Sequence, residues 1–202
     1  MSELHDAEAA RNYGETVLVG ERIRFRGTRE EDLETLVVWQ TNPRVLATLT
    51  DWVIPVSEAA AREKFAEWSA NQGSDVGFSI ETLTDGPTEI ELVGHVGAFG
   101  ISLQGRCATL GLLIGPEHAA RGYGTDAIRL IISYLFREVG LHRVQATVAA
   151  FNAASLQACA RAGLIEEGRR REAVFHDGNW YDEVMLSLLY DEWIAGQQQV
   201  GQ

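Results

Sequence analysis

Arg121-Gly122-Tyr123-Gly124-Thr125 joins a strand-like run, Ala108 to Ile114, to a stretch with helical spacing that begins at Gly124. Gly122 and Gly124 have no side chains, so a ligand can approach the backbone closely there. The first N–H groups of a helix have no intrahelical acceptors and sit at the positive end of its dipole. Aimed at one point, such amides hold a phosphate or a diphosphate. Two glycines before a helix also make an ordinary tight turn, so this pattern by itself leaves both readings open. Two familiar nucleotide motifs are excluded. No Gly-Lys-Ser/Thr follows the first glycine, as a P-loop requires, and Ala127 stands where the dinucleotide fingerprint has its third glycine.

The elements that must position this turn can be read along the chain. Val17 to Arg26 has apolar residues at intervals of two, broken at Gly20, and reads as a strand or tight hairpin. Thr28 and the acidic Glu30, Glu31 and Asp32 open a helix whose apolar stripe is Leu33, Leu36 and Val37 and which Asn42-Pro43 stops. A second helix runs from about Ser57, its cap, to Asn71. Strands follow at Phe78 to Leu83, Ile90 to Ile101 and Ala108 to Ile114, the first two separated by a turn at Asp85-Gly86-Pro87. Next come a helix from Gly124 to Val139, a strand from Arg143 to Ala149 and a helix from Ala153 to Ala162. Val174-Phe175 and Val184-Met185-Leu186 flank Asp177-Gly178-Asn179, a hairpin signature. Strands joined both by turns and by helices predict one α/β domain over residues 17–195, with a mixed central sheet flanked by helices. A flexible segment, 1–16, and a flexible tail, 196–202, are expected on either side.

Composition narrows the partners. The 202 residues include 17 Lys plus Arg and 29 Asp plus Glu, a formal charge of −12. That balance excludes a nucleic-acid binder that works by neutralising phosphates, and it suits a cationic substrate. An anion can still be held locally, because main-chain amides act at contact distance while distant charge is screened beyond ~8 Å. Cys107 and Cys159 are the only cysteines, so neither a disulfide framework nor a cysteine-based zinc site is encoded. Met1 to Glu15 is polar and acidic, unlike a secretory signal, and no run approaches the ~18 apolar residues of a membrane span. The expectation is a reduced, cytoplasmic chain with no metal.

Arg121-Gly122-Tyr123-Gly124-Thr125-Asp126-Ala127 resembles the acyl-CoA diphosphate loop of the GNAT superfamily of N-acetyltransferases. The likeness is closest to the branch that includes the ribosomal-protein N-terminal acetyltransferases. Asn152-Ala153-Ala154-Ser155 and Arg161-Ala162-Gly163-Leu164 resemble its second motif. Gly20-Glu21-Arg22-Ile23-Arg24-Phe25-Arg26 with Glu30 to Leu33 is similar to its first strand and helix, and Asp177 to Val184 to its closing hairpin. The resemblance covers about Leu18 to Trp193. Two positions depart from it: Ala119 stands where the family usually has Gln or Arg, and Cys159 where many members have a Tyr that acts as general acid.

This resemblance implies a fold in which the strand Leu110 to Ile114 splays from Arg143 to Ala149, and an acetyl-CoA-dependent transfer of acetyl to a primary amine, either a protein N-terminus or a small molecule. Leu112, Leu113 and Ile114 are then expected to meet the pantetheine arm, Arg121, Gly122, Tyr123, Gly124 and Thr125 the diphosphate, Asn152 the pantetheine amides and Arg161 the 3′-phosphate. Ser155 is expected to donate to the leaving sulfur, although Asn as a helix cap and Ser in a first turn are also ordinary structural choices. Transfer needs an uncharged amine, donors for the oxyanion and a proton for the thiolate. Glu91, His95 and Asp51 are candidate bases, with no choice made among them, and Trp39, Trp52 and Trp68 are candidate walls of an acceptor pocket or core residues. Some members of the branch pair, so a homodimer is an expectation. The alternative is a module that binds acyl-CoA as a sensor or scaffold without turnover.

Overall fold

The computed structural model describes residues 5–49, 53–73, 75–83 and 90–200. Seven strands form one sheet, ordered β1 (Ile23–Arg26), β2 (Val76–Thr82), β3 (Leu92–Ser102), β4 (Cys107–Ile114), β5 (Arg143–Ala149), β7 (Asn179–Leu189), β6 (Ile165–His176). Every neighbouring pair is antiparallel except β4 and β5. That parallel pair is where the connection is a helix, α5 (Tyr123–Tyr134), extended by a π-helical turn over Leu135–Val139.

Helices cover both faces. Ile128, Ile131, Ile132 and Leu135 pack with Ile80, Val96, Val144 and Val184 on one face, where Cys159 of α6 (Ala153–Arg161) joins them. On the other face α2 (Glu30–Thr41) and α4 (Glu58–Trp68) bring Leu36, Trp39 and Phe65 onto Leu113. Strand alternation makes this possible: Leu112 and Ile114 join the α5 side while Leu113 joins the α2/α4 side. Ser57 caps α4 by accepting from the Ala60 amide at 3.2 Å. The cap of α2 is Arg29, one residue later than Thr28, because the Asp32 carboxylate reaches back to the Arg29 amide at 2.8 Å.

Four charged groups tie the start of α2 to the sheet. Arg26 holds Asp32 through both carboxylate oxygens, at 2.5 and 2.8 Å, and also donates to Glu81, which receives Arg24 at 2.9 Å. Ser79 Oγ donates to Asp32 at 2.9 Å. Burial alone pushes the Asp32 carboxyl up, yet hydrogen bonds from Arg26, the Arg29 amide and Ser79 outweigh it and hold the group below its ordinary value. Glu81 follows the same pattern, with Arg26 and Arg24 overcoming burial.

Three helices differ from the sequence reading. Ala7–Thr16, expected to be loose, forms α1, whose Tyr13 hydroxyl donates to Glu138 at 2.5 Å while Arg137 lies 4.7 Å over its ring. Pro43, expected to end a helix, begins the short α3 (Pro43–Leu49). Gln-rich residues past Gly196 continue α7 (Tyr190–Val200). The closing hairpin, β6 with 12 residues and β7 with 11, is far longer than its five apolar residues suggested. The turn at Asp85-Gly86-Pro87 lies outside the described residues. Among the described residues no helix is long and apolar enough to cross a membrane.

Candidate active site

The parallel pairing of β4 with β5 stops early. Cys107, Ala108 and Thr109 pair with Arg143, Val144 and Gln145, and beyond Thr109 the strands part. On its other side β4 stays paired to β3 as far as Ile114, and β5 stays paired to β7 as far as Ala149. The stretch Leu110–Ile114 therefore turns one main-chain edge into a wedge-shaped gap in mid-sheet, the splay expected of it.

The glycine turn closes the wide end of that gap. After β4 the chain makes a 3-10 turn at Pro116–His118 and passes through Ala120, whose φ is +60°. It reaches Gly122 at φ +87°, a left-handed conformation that favours glycine. Gly122 is the N-cap of α5 and offers no side-chain acceptor, so no capping side chain competes for the amides of Tyr123, Gly124 and Thr125. Their free N–H groups at the positive end of α5 form a cradle for an anion.

One residue that holds the cradle escaped the sequence reading. Arg22, just before β1, donates from Nε to Asp126 Oδ2 at 2.7 Å and from Nη1 to the Arg121 carbonyl at 2.9 Å. The Asp126 carboxylate raises the Arg22 pKa further above its ordinary value. Arg22 thus fastens the loop on one side of Gly122 and the first turn of α5 on the other. A signal existed in the string Gly-Glu-Arg, but the partner lies 104 residues away.

Across the gap, Asn152 caps α6 by accepting from the Ser155 amide at 3.1 Å, and its Nδ2 donates to the Thr48 carbonyl of α3 at 3.2 Å. Both polar ends of Asn152 therefore have protein partners. Ser155 is half-buried in the first turn, and Cys159 one turn on is 3% exposed. Burial pushes the Cys159 thiol up, with the Ser155 hydroxyl opposing it only in part, so it stays protonated at neutral pH. Arg161 is exposed at the far end of α6, where its carbonyl accepts from Arg129, two turns into α5. The structure thus gathers β4, the glycine turn and the start of α6 around one gap and leaves Arg161 beside the middle of α5.

The base candidates separate. His95 is 3% exposed, with Nε2 2.7 Å from Ser69 Oγ and its ring 5.3 Å from Phe65, so it is a core residue beneath α4. Burial lowers its pKa from 6.5 to about 4. The unfolded chain takes up a proton below pH 6.5 while the folded chain does not. Stability is therefore complete above that pH and falls as pH drops toward 4, by roughly 3 kcal/mol. His95→Gln keeps a partner for Ser69 without titrating, and urea unfolding at pH 5 and pH 7.5 should differ less in this variant than in the parent. Glu91 is exposed, its carboxylate 4.0 Å from His118 Nδ1. Asp51 and Trp52 lie outside the described residues. Trp39 is buried and donates to Glu117 at 3.0 Å, and Trp68 packs on Phe65 and Phe99, so both serve the core under α2 and α4. Among the described residues no three metal-ligating side chains come together.

Comparison with known proteins agrees with this geometry. Residues 22–165 match a family model described as an acetyltransferase (GNAT) domain. The chain is 30% identical over 181 residues to a putative ribosomal N-acetyltransferase, YdaF, of Bacillus subtilis, covering 88% of this chain and 97% of that one. It is also 30% identical over 113 residues to the ribosomal protein uS5 alanine N-acetyltransferase of Escherichia coli, covering 55% of this chain and 58% of the relative. Several relatives are matched over only about three-fifths of their length. A spermidine N-acetyltransferase from Vibrio cholerae, solved with CoA and spermine, shares the fold with a TM-score of 0.74 at 21% identity, over 85% of this chain and 98% of that one.

Proposed function

The chain belongs to the GNAT acetyltransferases, and from that premise we propose how its own residues carry the reaction. It is an acetyl-CoA-dependent N-acetyltransferase. A neutral primary amine attacks the thioester carbonyl, the C–N bond forms, the C–S bond breaks, and the nitrogen's proton is balanced by protonation of the departing thiolate.

The observation that carries this reading is the conjunction of the unpaired edge Leu110–Ile114 with the uncapped amides at the start of α5. The amides of Tyr123, Gly124 and Thr125 hold the diphosphate, with Gly122 admitting it and the exposed Arg121 adding charge at the rim. The main chain of Leu112, Leu113 and Ile114 receives the pantetheine arm and leaves a donor for the oxyanion, while their side chains stay in the two cores. Ser155 donates to the sulfur as it leaves. Cys159 is too deeply buried to reach a ligand directly and acts, through its thiol, only on Ser155. Asn152 contributes by fixing Ser155 in the first turn of α6 and by joining that turn to α3. The acceptor is an amine, and the strongly negative chain favours one that arrives as a cation.

Incubation with acetyl-CoA and a panel of amines, followed by free-thiol release, tests the reading. Release that depends on amine is expected. Failure of every amine, together with no heat of CoA binding by calorimetry, defeats it. Arg22 acts as a positioning residue, so Arg22→Ala should raise the KM for acetyl-CoA by about tenfold, the equivalent of one lost charge-assisted contact, and change kcat far less. Initial rates at varied acetyl-CoA read that split, and a fall in kcat alone would remove the assignment.

A further inference from the structure

We propose that His118 is a positioning residue for the cosubstrate: with a proton on both ring nitrogens it braces the turn between β4 and α5, and affinity for acetyl-CoA falls as one of those protons leaves. The inference rests on the acetyltransferase reading above and adds a control on its cosubstrate site. His118 ends the 3-10 turn Pro116–His118, three residues before Arg121, and its side chain is 11% exposed. Its amide donates to the Gly115 carbonyl at 2.9 Å. Its ring lies against Trp39 of α2 at 5.9 Å and against Tyr123 of α5 at 6.5 Å. The Tyr123 amide belongs to the diphosphate cradle, so the ring stands directly behind that cradle.

The turn needs a brace. Ala120, two residues on, holds φ +60°, a left-handed conformation that is unfavourable for a residue with a β-carbon and persists only where the surroundings enforce it. Gly115 fixes the start of the turn, packed so closely on α2 that a β-carbon there would lie 2.4 Å from the Trp39 ring. Arg22 fixes its end through the Arg121 carbonyl. Of residues 116–121 only His118 is buried.

The neighbours of the ring decide which form braces. Nδ1 lies 4.0 Å from Oε2 of Glu91, just before β3. Nε2 lies 3.8 Å from Oε1 of Glu117, which also accepts from the Trp39 indole at 3.0 Å. A carboxylate only accepts, and a neutral imidazole has one N–H and one lone pair. The neutral ring therefore serves one of these oxygens while its lone pair faces the other. The imidazolium has an N–H for each, and a shift of about 1 Å in either glutamate closes its contact. Protonated, His118 joins the start of β3 to the turn and places a positive charge beside a cradle that holds an anion. Among the described residues the groups facing the ring are Glu91, Glu117 on its own turn, Trp39 from α2 and Tyr123 from α5. Both carboxylates are about half exposed, which screens each contact and keeps the effect to a few-fold.

Histidine ordinarily changes charge between about pH 5 and 8. Calorimetric titration with CoA at pH 6 and pH 8.5, in the parent and in His118→Phe, tests the proposal, since phenylalanine keeps a ring there that cannot titrate. Between these pH values the parent should lose about fivefold in affinity relative to the variant, a ratio in which the titration of CoA's own 3′-phosphate cancels. His95, at about 4, stays neutral throughout. Glu91→Gln should lose less than the parent over the same interval. By reciprocity, CoA should move the NMR titration midpoint of the His118 ring upward. A ratio of parent to His118→Phe affinity equal at both pH values, a midpoint that stays or falls, or a Glu91→Gln loss as large as the parent's overturns the inference and leaves the acetyltransferase reading intact. A protein that neither binds CoA nor acetylates any amine overturns that reading, and the role of His118 with it.

Discussion

Gly122→Val is expected to weaken acetyl-CoA binding by roughly a hundredfold, about 3 kcal/mol at 1.4 kcal/mol per tenfold. Two effects act at the same atom. The backbone there sits at φ +87°, which costs a β-branched residue about 1–2 kcal/mol to adopt. A β-carbon would also lie 2.6 Å from Arg22 Nη2 and 2.7 Å from Nη1. The arginine tip must swing away, releasing the Arg121 carbonyl and Asp126 together, and the amides of α5 lose their aim. Gly124→Ala is the contrast. Its added carbon would point toward the sheet, 3.5 Å from Leu112 Cδ2, an ordinary contact, so its loss of affinity should be many times smaller. Calorimetric titration with CoA measures both. Equal affinities in the valine variant and the parent would move the diphosphate away from this turn.

The largest loss of stability is expected from Asp32→Ala. Asp32 is 4% exposed and receives Arg26 twice, the Arg29 amide and the Ser79 hydroxyl. Removing it leaves a mostly buried guanidinium with Glu81 as its one remaining carboxylate and takes an acceptor from the Arg29 amide and the Ser79 hydroxyl, a change that typically costs about 3–5 kcal/mol. For a chain of this size that lowers the melting temperature by roughly 10 °C. Asp32 and Glu81 both titrate below their ordinary values when folded, so their contribution is present above the unfolded carboxylate range near pH 4 and is lost as pH falls further. A thermal melt at pH 7 checks the first statement, and acid unfolding of the variant, flatter than that of the parent below pH 4, checks the second.

What could be read in the sequence was what neighbours in the chain decide. The strand, glycine turn and helix around Gly122 are legible because alternation, missing side chains and 3.6-residue spacing are local signals. Ser57 as a cap is legible for the same reason. Pro43 misled, since a proline that stops one helix is well suited to the first turn of the next, and the Asn42 side chain accepts from the Arg44 amide at 2.9 Å as α3 begins. The length of β6 was hidden because an edge strand need not alternate: Glu166 to Glu172 is charged at every position but Gly168, and Arg169 and Arg170 pair with Glu166 and Glu183. Arg22 was missed because it draws its meaning from Arg121 and Asp126, far along the chain. His95 illustrates the reverse error, a histidine whose residue type suggests chemistry and whose burial removes it.

The gap beside Leu110–Ile114 has a thermodynamic consequence. A central strand that lacks rungs on one side along more than half its length is a ladder awaiting completion, and the two amide groups of a pantetheine arm are the kind of rungs that fit. The cosubstrate then becomes part of the sheet's own cohesion. Hydrogen exchange at the amides of this stretch that face the gap should be quick in the free protein and slow sharply when CoA is added, while the alternate amides bonded to β3 change less. The whole domain should gain about 2.7 kcal/mol when ligand stands at a hundred times its dissociation constant.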